Sequence, residues 1–277
     1  MKTMSLQEVQ SVNLNIMKDI HSFCVEHGIR YSLAYGSLIG AVRHKGFIPW
    51  DDDIDIMMPR PDFEVFSRTF VSKQGYTLSS VYDHDTYINY TRVYNNAETL
   101  VISPAKAGKN EVGVWVDIYP IDGISDNEDD SKKQFAQIRK YTQQIMVLRF
   151  LYRKFATGSV YEKAKAFIKF VAFSICKKGS ISQWHKKVSM LCKEVNFGET
   201  SRCSSLVCME ANRDNRQEVF PTNSFSSYEL SPFEKEQFYI VSDYDIVLKV
   251  IFGDYMQLPP KEKQVSHVIK KWKFYWI

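Results

Sequence analysis

At 277 residues, with 44% hydrophobic and 25% charged side chains, the chain has ordinary globular composition and room for one elaborated domain or two small ones. Only 12 Gly and 9 Pro exclude a fibrous or low-complexity chain, and no window reaches the ~18 apolar residues of a membrane-spanning helix. The net charge of +4 conceals an asymmetry: residues 132–193 hold fifteen Lys or Arg against one acid, Glu162, so the remainder is net −10 and the middle segment suits an anionic partner.

Leu6, Val9, Val12, Ile16, Ile20 and Phe23 recur at three- and four-residue steps and predict an amphipathic first helix, ended by Gly28. No apolar core of a secretory signal accompanies it. The five cysteines, Cys24, Cys176, Cys192, Cys203 and Cys208, contain no C-x-x-C pair and read as buried free thiols in a reducing cytoplasm rather than a disulfide frame or a zinc knot. Residues 31–35 then read as a strand, Gly36-Ser37 as a turn and 38–43 as a short helix. After a loop fixed by Pro49, alternation over 53–57 marks a half-buried strand, and Pro61 sits in the first turn of a helix whose Phe63, Phe66 and Phe70 form a core stripe.

Residues 76–102, rich in Tyr, Val and Thr, supply two or three antiparallel strands. Residues 114–119 form another, stopped by Pro120, with Trp115, Asp117 and Tyr119 on one face. The proline-free stretch 131–195 reads as two or three helices broken near Gly158 and Gly179. Within it, 163–178 places Ala166, Phe167, Phe170, Val171, Ser174 and Ile175 on one side among lysines. That is the pattern of a helix lying on an anionic bilayer, or of a core-facing helix with solvated lysines. Short strands near Leu206 and over 238–241 and a helix over 244–252 complete the chain.

The chemistry concentrates between Gly36 and Asp55. Asp51, Asp52, Asp53 and Asp55 fall within five positions and repel one another unless something positive compensates them, and a divalent cation is the economical answer. Ile54 and Ile56 bury one strand face and leave Asp53 and Asp55 together on the other. A third carboxylate should come from a neighbouring strand. Asp117, flanked by Val116 and Ile118, is the candidate, and Asp122, followed by Gly123, reads as turn chemistry. Gly36 and Ser37 offer close approach and amide donors to a phosphate, and Arg43, His44 and Lys45 add basic groups between that turn and the aspartates.

The run from Gly36 to Asp62, with Gly113-Val114-Trp115-Val116-Asp117-Ile118-Tyr119-Pro120-Ile121-Asp122-Gly123 and Phe252-Gly253-Asp254-Tyr255-Met256-Gln257-Leu258-Pro259-Pro260, closely resembles the LicD family of phosphotransferases, which is similar to the fukutin proteins. The resemblance implies an α+β, nucleotidyltransferase-like fold: a mixed or antiparallel sheet flanked by helices, with a helical insertion. Residues 1–130 would form the catalytic core, 131–200 a basic helical segment, and 201–277 the part completing the catalytic domain.

It also implies a site of Asp53, Asp55 and Asp117 holding Mg²⁺, or Mn²⁺ in its place, that moves phosphocholine or a related phospho-alcohol from CDP-choline or another CDP-alcohol. The acceptor would be a hydroxyl of a glycan or lipid-linked glycan, of teichoic acid or lipopolysaccharide type, with CMP released. Asp117 then either orients or deprotonates the acceptor hydroxyl, or only completes the metal shell. A choline ammonium needs aromatic faces, for which Trp50, Trp115, Tyr119 and Tyr255 are the nearby supply. The enzyme is expected in the cytoplasm, with peripheral contact at the inner face of an anionic membrane. Two alternatives stand beside it: a metal-dependent glycosyltransferase using a nucleotide sugar, and a non-enzymatic polyanion binder. The aspartates repel nucleic-acid phosphates, so nucleic acid is not an expected partner.

Overall fold

The chain folds from a first strand, β1 (Lys2–Thr3), into α1 (Leu6–His27), whose start is fixed by a capping box between Ser5 and Glu8 and whose end is fixed by Gly28 at φ 64°. The computed structural model describes residues 1–82, 88–102, 112–157, 159–177, 180–208, 217–266 and 272–277. The apolar stripe of α1 is buried as its periodicity requires, and Asn13 is buried within it. β2 (Ser32–Leu33) is shorter than expected, because Tyr35 takes φ 47° and opens α2 (Tyr35–Ile39), which continues as a single π-helical turn over Gly40–His44.

β3 (Ile54–Pro59) leads directly into α3 (Arg60–Thr69), with Phe63 and Phe66 fully buried and Phe70 beside them. β4 (Thr77–Ser79), β5 (Thr91–Asn95) and β6 (Thr99–Ile102) follow, and then β7 (Val114–Ile124) runs for eleven residues through the middle of the molecule. The principal sheet has the order β2-β3-β7-β5-β4, in which β3 and β7 are parallel and the other pairs antiparallel. Fold class is therefore α+β, with a mixed sheet.

Pro120 does not stop β7. It falls where β5 has ended its pairing at Ile118 and β8 (Arg202–Ser204) has not begun at Asp122, so its missing N–H costs that edge no ladder bond. The extension also corrects the reading of Asp122. It is fully buried inside the strand, and Arg60 grips it through two nitrogens at 2.6 and 2.9 Å, so Asp122-Gly123 is no turn.

Beyond β7, α4 (Glu128–Thr157), α5 (Val160–Lys177) and α6 (Ile181–Cys192) form the helical insertion, with α4 packed against both of the others. Gly158 and Gly179, the expected breaks, lie outside the described residues. The single apolar side expected of 163–178 is in fact two. Ala166, Phe170 and Phe173 face the bundle core around Ile145, Leu148 and Trp184, while Phe167 and Val171 point outward. The side chains of Ser174 and Ile175 are outside the described ones. No helix among the described residues is long and apolar enough to cross a membrane.

The C-terminal quarter contains the strand expected over 238–241, within Glu236–Val241, and others that the sequence did not announce. β9 (Phe220–Pro221) pairs with β8, and β10 (Tyr228–Phe233) and β11 (Glu236–Val241) form a hairpin packed beside β2 and followed by α7 (Tyr244–Phe252). β12 (Lys273–Trp276) inserts antiparallel between β1 and β6. Cys24, Cys192, Cys203 and Cys208 are buried free thiols, and the side chain of Cys176 is not among those described.

Candidate active site

The acidic loop is held from three directions. The hairpin turn between β10 and β11 places Glu234 at φ 58°, where its N–H reaches Lys45 O at 2.7 Å and its carboxylate accepts the Phe47 N–H at 3.0 Å. Gly46 leaves that carboxylate its place, because a Cβ would come within 2.2 Å of Glu234 Oε1 and displace it from the Phe47 N–H. From α1, Gln10 Nε2 donates to Asp51 O at 2.7 Å and Asn13 Nδ2 to Asp52 O at 2.8 Å, while Ser266 Oγ donates to the Asp52 carboxylate at 2.7 Å. Gly36 gives the Asp51 carboxylate its room, since a Cβ there would lie 2.4 Å from Oδ2.

One carboxylate oxygen each from Asp51, Asp52 and Asp53 consequently lies within 4.8 Å of the others, a spacing that one cation can bridge. Burial, together with Asp55, Asp51, Asp52 and Asp117, pushes the Asp53 carboxyl well above the ordinary carboxylate range.

Beside this loop, the register of the sheet draws a second line of charge. Asp55 of β3 is the Cα partner of Asp117 of β7, and Asp117 is in turn the partner of Arg92 of β5. Adjacent strands are ~4.8 Å apart, so three residues from distant parts of the chain stand in one row on one sheet face. Arg92 closes on both oxygens of Asp117, through Nε to Oδ1 and through Nη2 to Oδ2 at 3.1 Å. Its guanidinium lies over the Trp115 ring at 4.7 Å and donates to Tyr90 Oη at 2.8 Å. Ser37 fixes the other end of the row: its buried Oγ accepts the Asp55 N–H at 2.9 Å. Ser37→Ala would leave that donor without an acceptor, and should cost about 1–3 kcal/mol in chemical denaturation. An unchanged midpoint would show that the hydroxyl does not hold the strand.

The residues expected around a ligand separate into groups. Tyr119 lies at the row, its hydroxyl 3.4 Å from Asp117 Oδ2. It packs against Tyr35 (ring centroids 5.5 Å) and Tyr90 (4.6 Å), two partners that sequence reasoning missed. Burial, then Cys208 and Glu218, keep the Tyr35 phenol protonated. Glu218 is itself buried, and its Oε2 has no hydrogen-bond partner.

Trp115 is occupied under Arg92 and against Trp272, and Trp50 packs on the main core. Tyr255 is buried, with its hydroxyl on Asp245 and its carbonyl receiving Arg43, so it serves the core rather than an open ring face. Arg43 thus turns to Tyr255 and to His44 Nε2 at 3.0 Å, not to the aspartates, and Lys45 ends the π-helical turn at φ 59°.

Gly36 and Ser37 form no turn but lie in the first turn of α2, so the site is a parallel β3–β7 pair with an acidic row, a Gly-Ser helix start beside it and an acidic loop alongside. Residues 28–160 match the profile described as LicD/FKTN/FKRP, nucleotidyltransferase domain. Residues 28–160 thus carry a LicD-type nucleotidyltransferase domain. The chain is 27% identical, over 98% of both chains, to the lipopolysaccharide cholinephosphotransferase LicD of Haemophilus influenzae. Shorter similarities join it to the uncharacterized proteins RP689 of Rickettsia prowazekii, 37% identical over 29% of this chain and 27% of that one, and RT0683 of Rickettsia typhi, 40% identical over 22% and 20%.

The electrostatics of this site imply a pH dependence. Asp53 is raised as described, and burial pushes Glu218 up to about 7. An acid whose pKa is higher folded than unfolded adds stability at acid pH, and that stability is lost as the pH rises through the raised value. The metal-free chain should therefore lose thermal stability from about pH 4 to 7. Mg²⁺ at neutral pH should return the part belonging to the aspartates, and Glu218→Gln should flatten much of the rest. A metal-free melting temperature that is level across this range would contradict the assignment.

Proposed function

We propose that this LicD-type transferase moves phosphocholine, or a closely related phospho-alcohol, from a CDP-alcohol to a hydroxyl of a lipopolysaccharide- or teichoic-acid-type glycan, releasing CMP. The observation that carries the reading is the in-register pairing of Asp55 with Asp117 beside the Asp51–Asp53 loop, which assembles hard oxygen donors from two segments of the chain. This donor set fits Mg²⁺ or Mn²⁺, and the repulsion that raises Asp53 is what such a cation would relieve. Asp53, whose carboxylate oxygen converges with those of Asp51 and Asp52, would hold it together with Asp55 and Asp117 of the neighbouring row. The bound ion would offset negative charge accumulating on the transferred phosphoryl group.

The chain's own residues then supply position. Ser37 fixes Asp55 and Arg92 fixes Asp117. With both oxygens engaged by Arg92, Asp117 acts as an oriented charge of the metal shell rather than as the acceptor of the hydroxyl proton. The Tyr35, Tyr90 and Tyr119 cluster offers aromatic surface two residues along β7 from that charge, as a quaternary ammonium requires, and Glu218, whose Oε2 accepts no hydrogen bond, adds a carboxylate near Tyr35.

The test is a Mg²⁺-dependent assay of CMP release from CDP-choline, CDP-ribitol and CDP-glycerol in the presence of a glycan acceptor, with UDP-sugars in parallel. Phosphorus gained by the acceptor from a CDP-alcohol supports the proposal. Sugar gained from a UDP-sugar would make the chain a glycosyltransferase instead.

A further inference from the structure

Helix α5 is apolar on two opposite faces. Ala166, Phe170 and Phe173 pack into the bundle, as the core of an insertion should. The other face carries Val160, Tyr161, Ala164, Phe167, Ile168 and Val171, a run at steps of one, three and four residues that forms a stripe along the helix. Val160 is 86% exposed, Tyr161 73%, Ile168 68% and Phe167 53%. Isolated exposed apolar residues need no explanation, but a continuous stripe of large ones marks an interaction surface.

The charges on α5 identify what covers the stripe. At 100° per residue, Lys163 lies along one seam between the two apolar faces and Lys165 and Lys169 along the other, all three exposed. Lys165 Nζ also stands 5.8 Å from the Tyr161 ring centroid. On α4, Met146, Val147 and Phe150 are likewise 42–50% exposed. The surrounding segment is strongly basic, fifteen cations against one acid over 132–193. Two copies meeting through this face would bring like charges together, whereas an anionic bilayer complements both features: the stripe enters the acyl boundary and the lysines reach the phosphates.

We propose that the exposed stripe of α5, bordered by Lys163, Lys165 and Lys169, is a docking surface for anionic membrane. The contact is peripheral and reversible, and it holds the catalytic sheet beside the bilayer. It stands apart from the identity of the donor nucleotide, so failure of the transfer reaction and failure of the docking are separately observable.

The experiment is vesicle sedimentation of the full chain. Vesicles of phosphatidylglycerol and phosphatidylethanolamine are compared with phosphatidylcholine alone, at about 0.1 and 0.5 M NaCl. The chain should pellet with the anionic vesicles at low salt, several-fold less at high salt, and little with phosphatidylcholine. Ile168→Asp should reduce the bound fraction about tenfold or more, and each of Lys163→Glu and Lys169→Glu about fivefold or more, with melting temperature unchanged because these side chains point outward. Absence of pelleting with anionic vesicles at low salt overturns the proposal. So does binding that Ile168→Asp leaves intact, and so does a vesicle-free dimer in sedimentation velocity that Ile168→Asp disperses, which would make the stripe an interface between copies.

Discussion

Asp55→Asn should leave a folded chain that transfers phospho-alcohol about 10³-fold more slowly and no longer gains melting temperature from Mg²⁺. The exchange keeps the shape of the side chain and leaves untouched the backbone N–H that Ser37 accepts, so the strand has no reason to move. It deletes one negative charge from a group whose mutual repulsion raises Asp53, and the metal-free protein should therefore melt no lower than its parent. Metal-assisted stabilisation of a phosphoryl-transfer transition state is worth several kcal/mol, and each 1.36 kcal/mol is tenfold in rate, which gives the expected loss. Single-turnover CMP release with saturating CDP-choline measures it. A variant within tenfold of its parent would remove Asp55 from the reaction, and one that melts far lower would make the carboxylate a structural group.

The sequence declared most of the elements and only half of the site. Helices whose apolar residues keep a clean period, such as α1 and α7, were legible because one face of each is buried and the other solvated. The acidic loop was legible because four like charges in five positions demand an explanation. Arg92 was not, although its alternation with Tyr90 and Tyr94 put it on a defined face. Its meaning comes from standing opposite Asp117, and strand register across a sheet is set by segments far apart in the chain. Asn13 carried a readable signal that went unused: an amide inside an otherwise apolar helical stripe, which the structure spends on Asp52 O. β12 and β1 were illegible for a different reason, since strands of four and two residues are too short to display a period.

The charge row makes a second demand on stability. Arg92 and Asp117 are 17% and 9% exposed at their side chains, and removing one partner of a buried pair leaves the other charged and unmatched, at a cost of about 3–5 kcal/mol. Arg92→Met keeps comparable apolar volume over Trp115 but gives up the bonds to Asp117 and Tyr90. In metal-free buffer it should lower the melting temperature by roughly 10 °C. Mg²⁺ should recover more for this variant than for the parent, because a bound cation would supply the positive charge that Asp117 loses with its guanidinium.

A double variant, Arg92→Met with Asp117→Leu, separates charge from packing. If the loss comes from an orphaned carboxylate, the second substitution should restore much of the stability while abolishing transfer. Were Arg92→Met to melt within about 1 kcal/mol of the parent without metal, the guanidinium would not be what balances Asp117, and the row would have to be stabilised from the acidic loop instead.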